Sequence, residues 1–263
     1  MTGTFMEITI IFLIVIIHEL GHYSVAKFFN WRIRRISLWV FGGVMETDEH
    51  ASKPISQEFW ITLAGPLQHV WIHGLLLFCS TNQLLPDYLI SLGFQYNTTI
   101  LLFNLLPIWP LDGGKLMHLL LSSILPFRKA HTTMVQLSIF FALIATVLFL
   151  IFYPFTLSTV MLVGFILWEN RLEWKRRYYV FIRFLLKRYT EKPNIKRVRP
   201  VVVDYDMPLK QVFSMFRRNY YHHIHVKDGA AITELVGENE SLHTYFQLKH
   251  YQSTIGELTS QRN

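Results

Sequence analysis

Residues 8–17 (Ile-Thr-Ile-Ile-Phe-Leu-Ile-Val-Ile-Ile) offer no polar face, and they run without a break into His18-Glu19-Leu20-Gly21-His22. Such a run has to be a helix, buried all round or set in lipid, because a helix satisfies its own backbone hydrogen bonds. Residues four apart share a helix face, so the imidazoles of His18 and His22 can converge on one ion. This is the HExxH arrangement: two nitrogen ligands for zinc, with the Glu19 carboxylate beside the water that the metal activates. A hydrogen-bonded trio tucked into a helical bundle is the plainer alternative. Ionisable groups in lipid are costly and usually functional, which favours the metal.

The membrane setting is supported along the chain. Hydrophobic residues make up 51% of the sequence and Phe alone numbers 21, and mean hydropathy is positive. Apolar stretches long enough to cross a bilayer occupy 1–28, 59–80, 88–106, 131–152 and a return to about 168. The net charge of +7 does not point to nucleic acid, because most basic residues lie in short loops and around the last membrane exit. Lys27, Arg32, Arg34 and Arg35 follow the first span, and Lys115, Arg128 and Lys129 separate the third from the fourth. The segments on the other side carry neither Lys nor Arg. The positive-inside rule then gives five spans, with the N-terminus out, the C-terminus in the cytoplasm and the HExxH near the cytoplasmic face. The first span has no basic n-region and no cleavage site, so it is not read as a removable signal. An N-out start without a preceding helix raises the expectation of a sixth span missing from this form of the chain. The single cysteine, Cys79, excludes an intramolecular disulfide and a cysteine-rich zinc site.

Residues 31–48 turn β-rich, with Phe41-Gly42-Gly43-Val44 as a glycine turn. Such backbone cannot face lipid unpaired, so a hairpin at the membrane surface is expected, its edge open to strand addition by an extended substrate. An ordinary cytoplasmic loop is the alternative. Ala64-Gly65-Pro66 interrupts the second span and lets backbones approach closely. His69 and His73 share a face of that span with no acid between them, and are expected to hydrogen bond or pack. Asn104-Leu-Leu-Pro107-Ile-Trp-Pro110-Leu-Asp112-Gly113-Gly114 ends the third span with two prolines and paired glycines. Broken helices at membrane depth are tolerated where they line cavities. A catalytic zinc needs three protein ligands and one open position. Asp112 is the expected third ligand, against a reading in which it only caps the helix that follows.

Past the spans, 171–194 is basic and aromatic, expected as an interfacial helix on anionic lipid and a linker. From 195 to 263 the composition becomes that of a small soluble α/β module. It reads as strand 198–203, helix 208–218 and strand 222–226 ending at Asp228-Gly229, then a weaker second round. His222, His223 and His225 fit strand alternation better than a metal site. The fold class is a polytopic α-helical membrane protein with a small C-terminal α/β domain, divided at 1–170, 171–194 and 195–263.

These residues resemble the site-2 protease family of intramembrane zinc metalloproteases. His18-Glu19-Leu20-Gly21-His22 is similar to its metal-binding motif, and the stretch from Asn104 to Gly114 to its second motif, which supplies the third ligand. Ala64-Gly65-Pro66 is similar to its Ala-Gly-Pro step, with Gln68-His69 standing where an Asn is common. The tail from about Ile195 resembles a single cystathionine-β-synthase-type (CBS) module, and the order of spans and tail resembles the family's sporulation branch in endospore-forming bacteria.

The resemblance implies Glu19 as catalytic base and His18, His22 and Asp112 as ligands of one Zn2+ per chain. Asn104, Pro107, Pro110, Gly42, Gly43, Gly65 and Pro66 are expected to support the site or its substrate. It further implies a membrane-associated sigma-factor precursor as substrate and inhibitory membrane proteins of the sporulation pathway as partners. The location implied is the outer forespore membrane, on the mother-cell side. ATP is the implied ligand of the tail, where a homo-oligomer, or a second module from the substrate or another partner, would complete a paired CBS site; a plain docking surface is the alternative. No direct nucleic-acid contact is expected. Spacing and periodicity alone leave two rivals: a zinc transporter using the same residues as a transit site, and a non-catalytic membrane scaffold.

Overall fold

A computed structural model of the chain describes residues 2–39, 42–47, 53–152, 156–191, 195–228 and 231–260. The turn residues Phe41, Tyr153 and Pro154, the Pro193-Asn194 boundary and Gly229 lie outside the described residues. The chain divides into two compact units: Met1–His50 with Ser56–Met117 and Leu137–Asn170, and Ala51–Ile55 with His118–Gln136 and Arg171–Asn263. The division falls within four helices.

The first unit is built on long apolar helices. α1 (Thr2–Phe28), α2 (Ile55–Thr81) and α5 (Phe127–Phe152) are each long and apolar enough to cross a membrane. Among the described residues these three alone meet that measure. The other two expected spans correspond to α3 (Asp87–Asn104) and the start of α6 (Leu157–Glu191). In α3 the side chains of Gln95, Asn97, Thr98 and Thr99 dilute the apolar run. In α6 the charges of Glu169, Arg171 and Glu173 follow a short apolar stretch, and the helix continues unbroken through the basic residues to Glu191. Between α3 and α4 (Asp112–Ile124) the chain is irregular, as the prolines require. α2 is not interrupted: it remains helical through Pro66.

Between α1 and α2 the hairpin is present. β1 (Ile33–Trp39) and β2 (Gly42–Thr47) pair antiparallel, from Ile33 opposite Thr47 to Trp39 opposite Gly42. Gly42 and Gly43 therefore lie in the strand rather than in the turn, opposite Trp39 and Leu38. α1 packs on β2 and on α3. Ala26, Trp31 and Ile61 bury one apolar cluster of this unit, and Ile108, Leu111, Ala142 and Ile166 bury another around the irregular segment.

The second unit has its own core. β3 (Val198–Asp204) runs parallel to β4 (Tyr221–Asp228), which pairs antiparallel with β5 (Ala231–Gly237), in the order β3-β4-β5. α7 (Leu209–Phe213) makes the crossover, and α8 (Glu238–Phe246) and α9 (Ile255–Ser260) follow. The helix expected to reach 218 stops at Phe213, because the chain tightens there into i to i+3 turns. That turn brings Phe216 flat against His222, ring centroids 4.5 Å apart, inside the core. Val201, Val203, Ile224, Val226 and Val236 face inward with Leu209, Val212, Leu242 and Ile255. Phe181, Phe184 and Leu185 of α6 complete the cluster. The three histidines of β4 do not behave alike. His223 and His225 are half-exposed, whereas His222 is fully buried and donates Nδ1–H to Glu238 Oε2 at 3.0 Å.

Candidate metal centre

One helical turn separates His18 from His22 on α1, and Asp112 is the first residue of α4. All three are buried, at 4%, 5% and 3% exposure. Asp112 Oδ2 lies 3.0 Å from His18 Nε2 and 3.1 Å from His22 Nε2, and the two Nε2 atoms are 3.1 Å apart. Glu19 is a rival for the third place, since its ligand atom and those of both histidines fall within 4.8 Å of one another. Asp112 Oδ2 touches both Nε2 atoms, with Glu19 at the same end of the site. Close approach of α2 shapes this cluster. A Cβ on Gly65 would sit 2.3 Å from His22 Nε2 and 2.8 Å from His18 Cε1, so only glycine leaves room for the imidazoles. Pro66 is buried in the same turn.

The protons on these rings can be placed from fixed partners. His22 Nδ1 faces the carbonyl of Ile61 at 2.7 Å, which can only accept, so Nδ1 carries the hydrogen and Nε2 of the neutral ring is bare. Asn97 Nδ2 donates to the carbonyl of His69 at 2.9 Å, which turns Asn97 Oδ1 towards His69 Nδ1 at 2.6 Å. His69 therefore donates from Nδ1 and accepts at Nε2, where His18 Nδ1–H meets it at 3.0 Å. His18 Nε2 is bare as well. With both rings neutral, two ring lone pairs and a carboxylate oxygen face one another, an arrangement suited to a cation. Tetrahedral ligands about 2.0–2.1 Å from zinc stand roughly 3.3 Å apart, close to the spacings seen. The donor set fits zinc.

A pocket of about 460 Å³ opens beside this triangle. His18, Glu19, Asp112 and Lys115 form its polar end, and Ile11, Val15, Phe103, Ala142 and Leu162 are among its apolar walls. Asn104 and Pro110 line it, while Pro107 is half-buried in the same segment without forming the wall. Gly42 and Gly43 are not among the described lining residues. The irregular segment is fastened at Trp109. Its N–H donates to Ser138 Oγ at 2.6 Å, its carbonyl accepts from Asn170 Nδ2 at 2.8 Å, and Ser138 donates to Asn170 Oδ1. The sequence reading missed Asn97, Lys115, Ser138 and Asn170. Each is a lone polar residue in or beside an apolar stretch, which is the signal that could have found them.

Comparison with known proteins agrees with this chemistry. The profile of Peptidase family M50 matches residues 6–86 and 81–147. Stage IV sporulation protein FB of Bacillus subtilis is 39% identical over 260 residues, covering 98% of this chain and 90% of that protein. A zinc metalloprotease of Methanocaldococcus jannaschii is 27% identical over 229 residues, covering 85% of this chain and 64% of that one. Among solved structures, the site-2 protease from the same archaeon superposes with a TM-score of 0.51 at 27% identity. That match covers 63% of this chain and 76% of the other.

Proposed function

The chain belongs to peptidase family M50 and is a site-2-type zinc metalloprotease of the membrane, and from that premise we propose that His18, His22 and Asp112 hold its zinc while Glu19 moves the protons. The observation that carries this reading is the meeting of two bare imidazole nitrogens and one carboxylate oxygen at the head of an apolar pocket that Glu19 also lines. Zinc held there supplies a Lewis acid that polarises a peptide carbonyl and lets a water ionise near neutral pH. The walls of the pocket admit an extended apolar stretch of substrate and keep bulk water away. Glu19 accepts the water's proton on a carboxylate oxygen and returns it to the leaving amine nitrogen. Ile61 and His69 hold both imidazoles in the tautomer that ligation needs. Membership of a peptidase family sets the transporter and scaffold readings aside.

The test is a pair of variants against a membrane-tethered substrate. Glu19→Gln is expected to keep its zinc and lose cleavage, and Asp112→Ala to lose both. An Asp112→Ala protein with full zinc content and activity would remove Asp112 from the ligand set.

The finer assignments rest on the likeness to the sporulation protein across nearly the whole chain. The substrate is a membrane-associated sigma-factor precursor, the inhibitors are membrane proteins of the same pathway, and the site of action is the outer forespore membrane. α3 and the first part of α6 join the three apolar helices to make five spans in a membrane domain over 1–170, with the C-terminus cytoplasmic. Within the basic stretch 171–194 it is the first part that lies on anionic lipid, since Lys175, Arg176, Arg177, Tyr178 and Tyr179 are exposed together, while Phe181, Phe184 and Leu185 belong to the core of the second unit. The tail from 195 is a CBS-type module, supported by the β3-α7-β4 crossover, and takes ATP with a second copy. Co-expression with candidate precursors, with and without Glu19, tests the substrate.

A further inference from the structure

We propose that Lys115 is a positioning residue that makes Asp112 a one-oxygen ligand, an inference that rests on reading Asp112 as a ligand at all. The two oxygens of this buried carboxylate face different groups. Oδ2 meets both imidazoles, and Oδ1 meets Lys115 Nζ at 3.0 Å. The lysine stands three residues along α4, on the same face as the aspartate. The backbone beneath the pair has little freedom. A Cβ on Gly113 would lie 2.2 Å from the Leu105 carbonyl oxygen, and one on Gly114 2.6 Å from that of Ile108, so the first turn of α4 is pressed against the irregular segment. What freedom remains is rotation of the carboxylate itself. Turned, it would offer both oxygens to the ion and occupy the place that a catalytic zinc keeps open for substrate. Lys115 prevents this by engaging Oδ1. An ammonium has three donors and no lone pair, so it holds the oxygen without competing for the metal. Its side chain also lines the pocket, as does that of Glu19.

Purified full-length protein in detergent can decide this with Lys115→Met, Lys115→Arg and Asp112→Ala. Two readouts are needed besides cleavage: the rate of zinc loss to a chelator, and the visible absorption of protein reloaded with Co2+. Lys115→Met is expected to weaken the Co2+ band as the second oxygen joins, and to release zinc severalfold more slowly, because the ion gains a donor and loses a neighbouring positive charge. Lys115→Arg should restore both. If Lys115→Met folds poorly, Lys115→Gln, which can still donate to Oδ1, is expected to fall between Met and wild type. Wild-type zinc release and Co2+ absorption in Lys115→Met, with cleavage lost, would overturn the proposal and place the lysine on the substrate. Unchanged zinc in Asp112→Ala as well would instead remove the reading on which the proposal stands.

Discussion

His18 Nδ1 and His69 Nε2 stand 3.0 Å apart at a buried contact, and Asn97 behind them decides which ring gives the proton. The chain from Asn97 through His69 to His18 fixes which nitrogen of His18 faces Asp112. Removing its last link should act on the metal without touching it. Asn97→Leu is expected to speed zinc loss by about tenfold, and Asn97→Asp, whose carboxylate can still accept from His69, to recover most of it. Zinc release timed against a chelator is the measurement. Equal rates for all three proteins would mean that the relay does not hold the tautomer.

Gly65 gives a steric test of the same site. Gly65→Ala puts a carbon where the His22 ring now lies, so the ring must leave or α1 and α2 must part. The expected result is loss of stoichiometric zinc. Gly74→Ala and Gly164→Ala are the controls, because nothing lies within 4 Å of a Cβ at either place. Metal analysis of the three purified variants checks it.

The second unit should be acid-labile through Arg188, Glu238 and His222. Arg188 is buried at 4% exposure and grips Glu238 with Nε and Nη2, while other guanidinium hydrogens go to the carbonyls of Arg217, Arg218 and Tyr220. Burial alone would raise the Glu238 carboxyl, but the His222 hydrogen bond and the Arg188 charge outweigh it and hold it below its ordinary 4.5. Burial holds His222 below its ordinary 6.5, against the pull of Glu238. A depressed histidine loses stability as pH falls below 6.5, because only the unfolded chain takes the proton. A depressed carboxylate adds its loss below 4.5, as pH falls through the folded value. Protection of the β4 amides against hydrogen exchange, corrected for intrinsic rates, should therefore be flat above pH 7 and fall in those two stages. Arg188→Met should cost about 3–5 kcal/mol at neutral pH, because it strands a buried carboxylate.

Sidedness is checked by reporters. One fused after Asn263 is expected in the cytoplasm, and one inserted at Gln83, in the exposed turn after α2, outside. A cytoplasmic reporter at Gln83 would reverse the orientation.

The meeting of His18, His22 and Asp112 was legible because HExxH carries its own geometry and the prolines before Asp112 announce a break. The supporting polar groups were harder to read. Asn97 lies in an ordinary-looking apolar helix and meets His69 across 28 positions, and Asn170 reaches Trp109 across 61. Partners at such separations leave no local pattern. The glycines at 42 and 43 misled for a different reason: glycine marks turns by conformational freedom, yet here it pairs opposite Leu38 and Trp39. His222 was grouped with its neighbours by alternation, which says which side a strand residue faces but not what waits there.

His22 and Asp112 are separated by 90 residues. At a synthesis rate of about 5–20 residues per second, α1 is in place roughly 5–20 s before the carboxylate that completes the triangle exists. Within that interval α2 is made first and can engage both rings through Ile61 and His69, while the carboxylate that faces their other nitrogens is still missing. On the proposed ligand set, the order of synthesis alone makes metal capture wait for α4, the helix that carries the carboxylate.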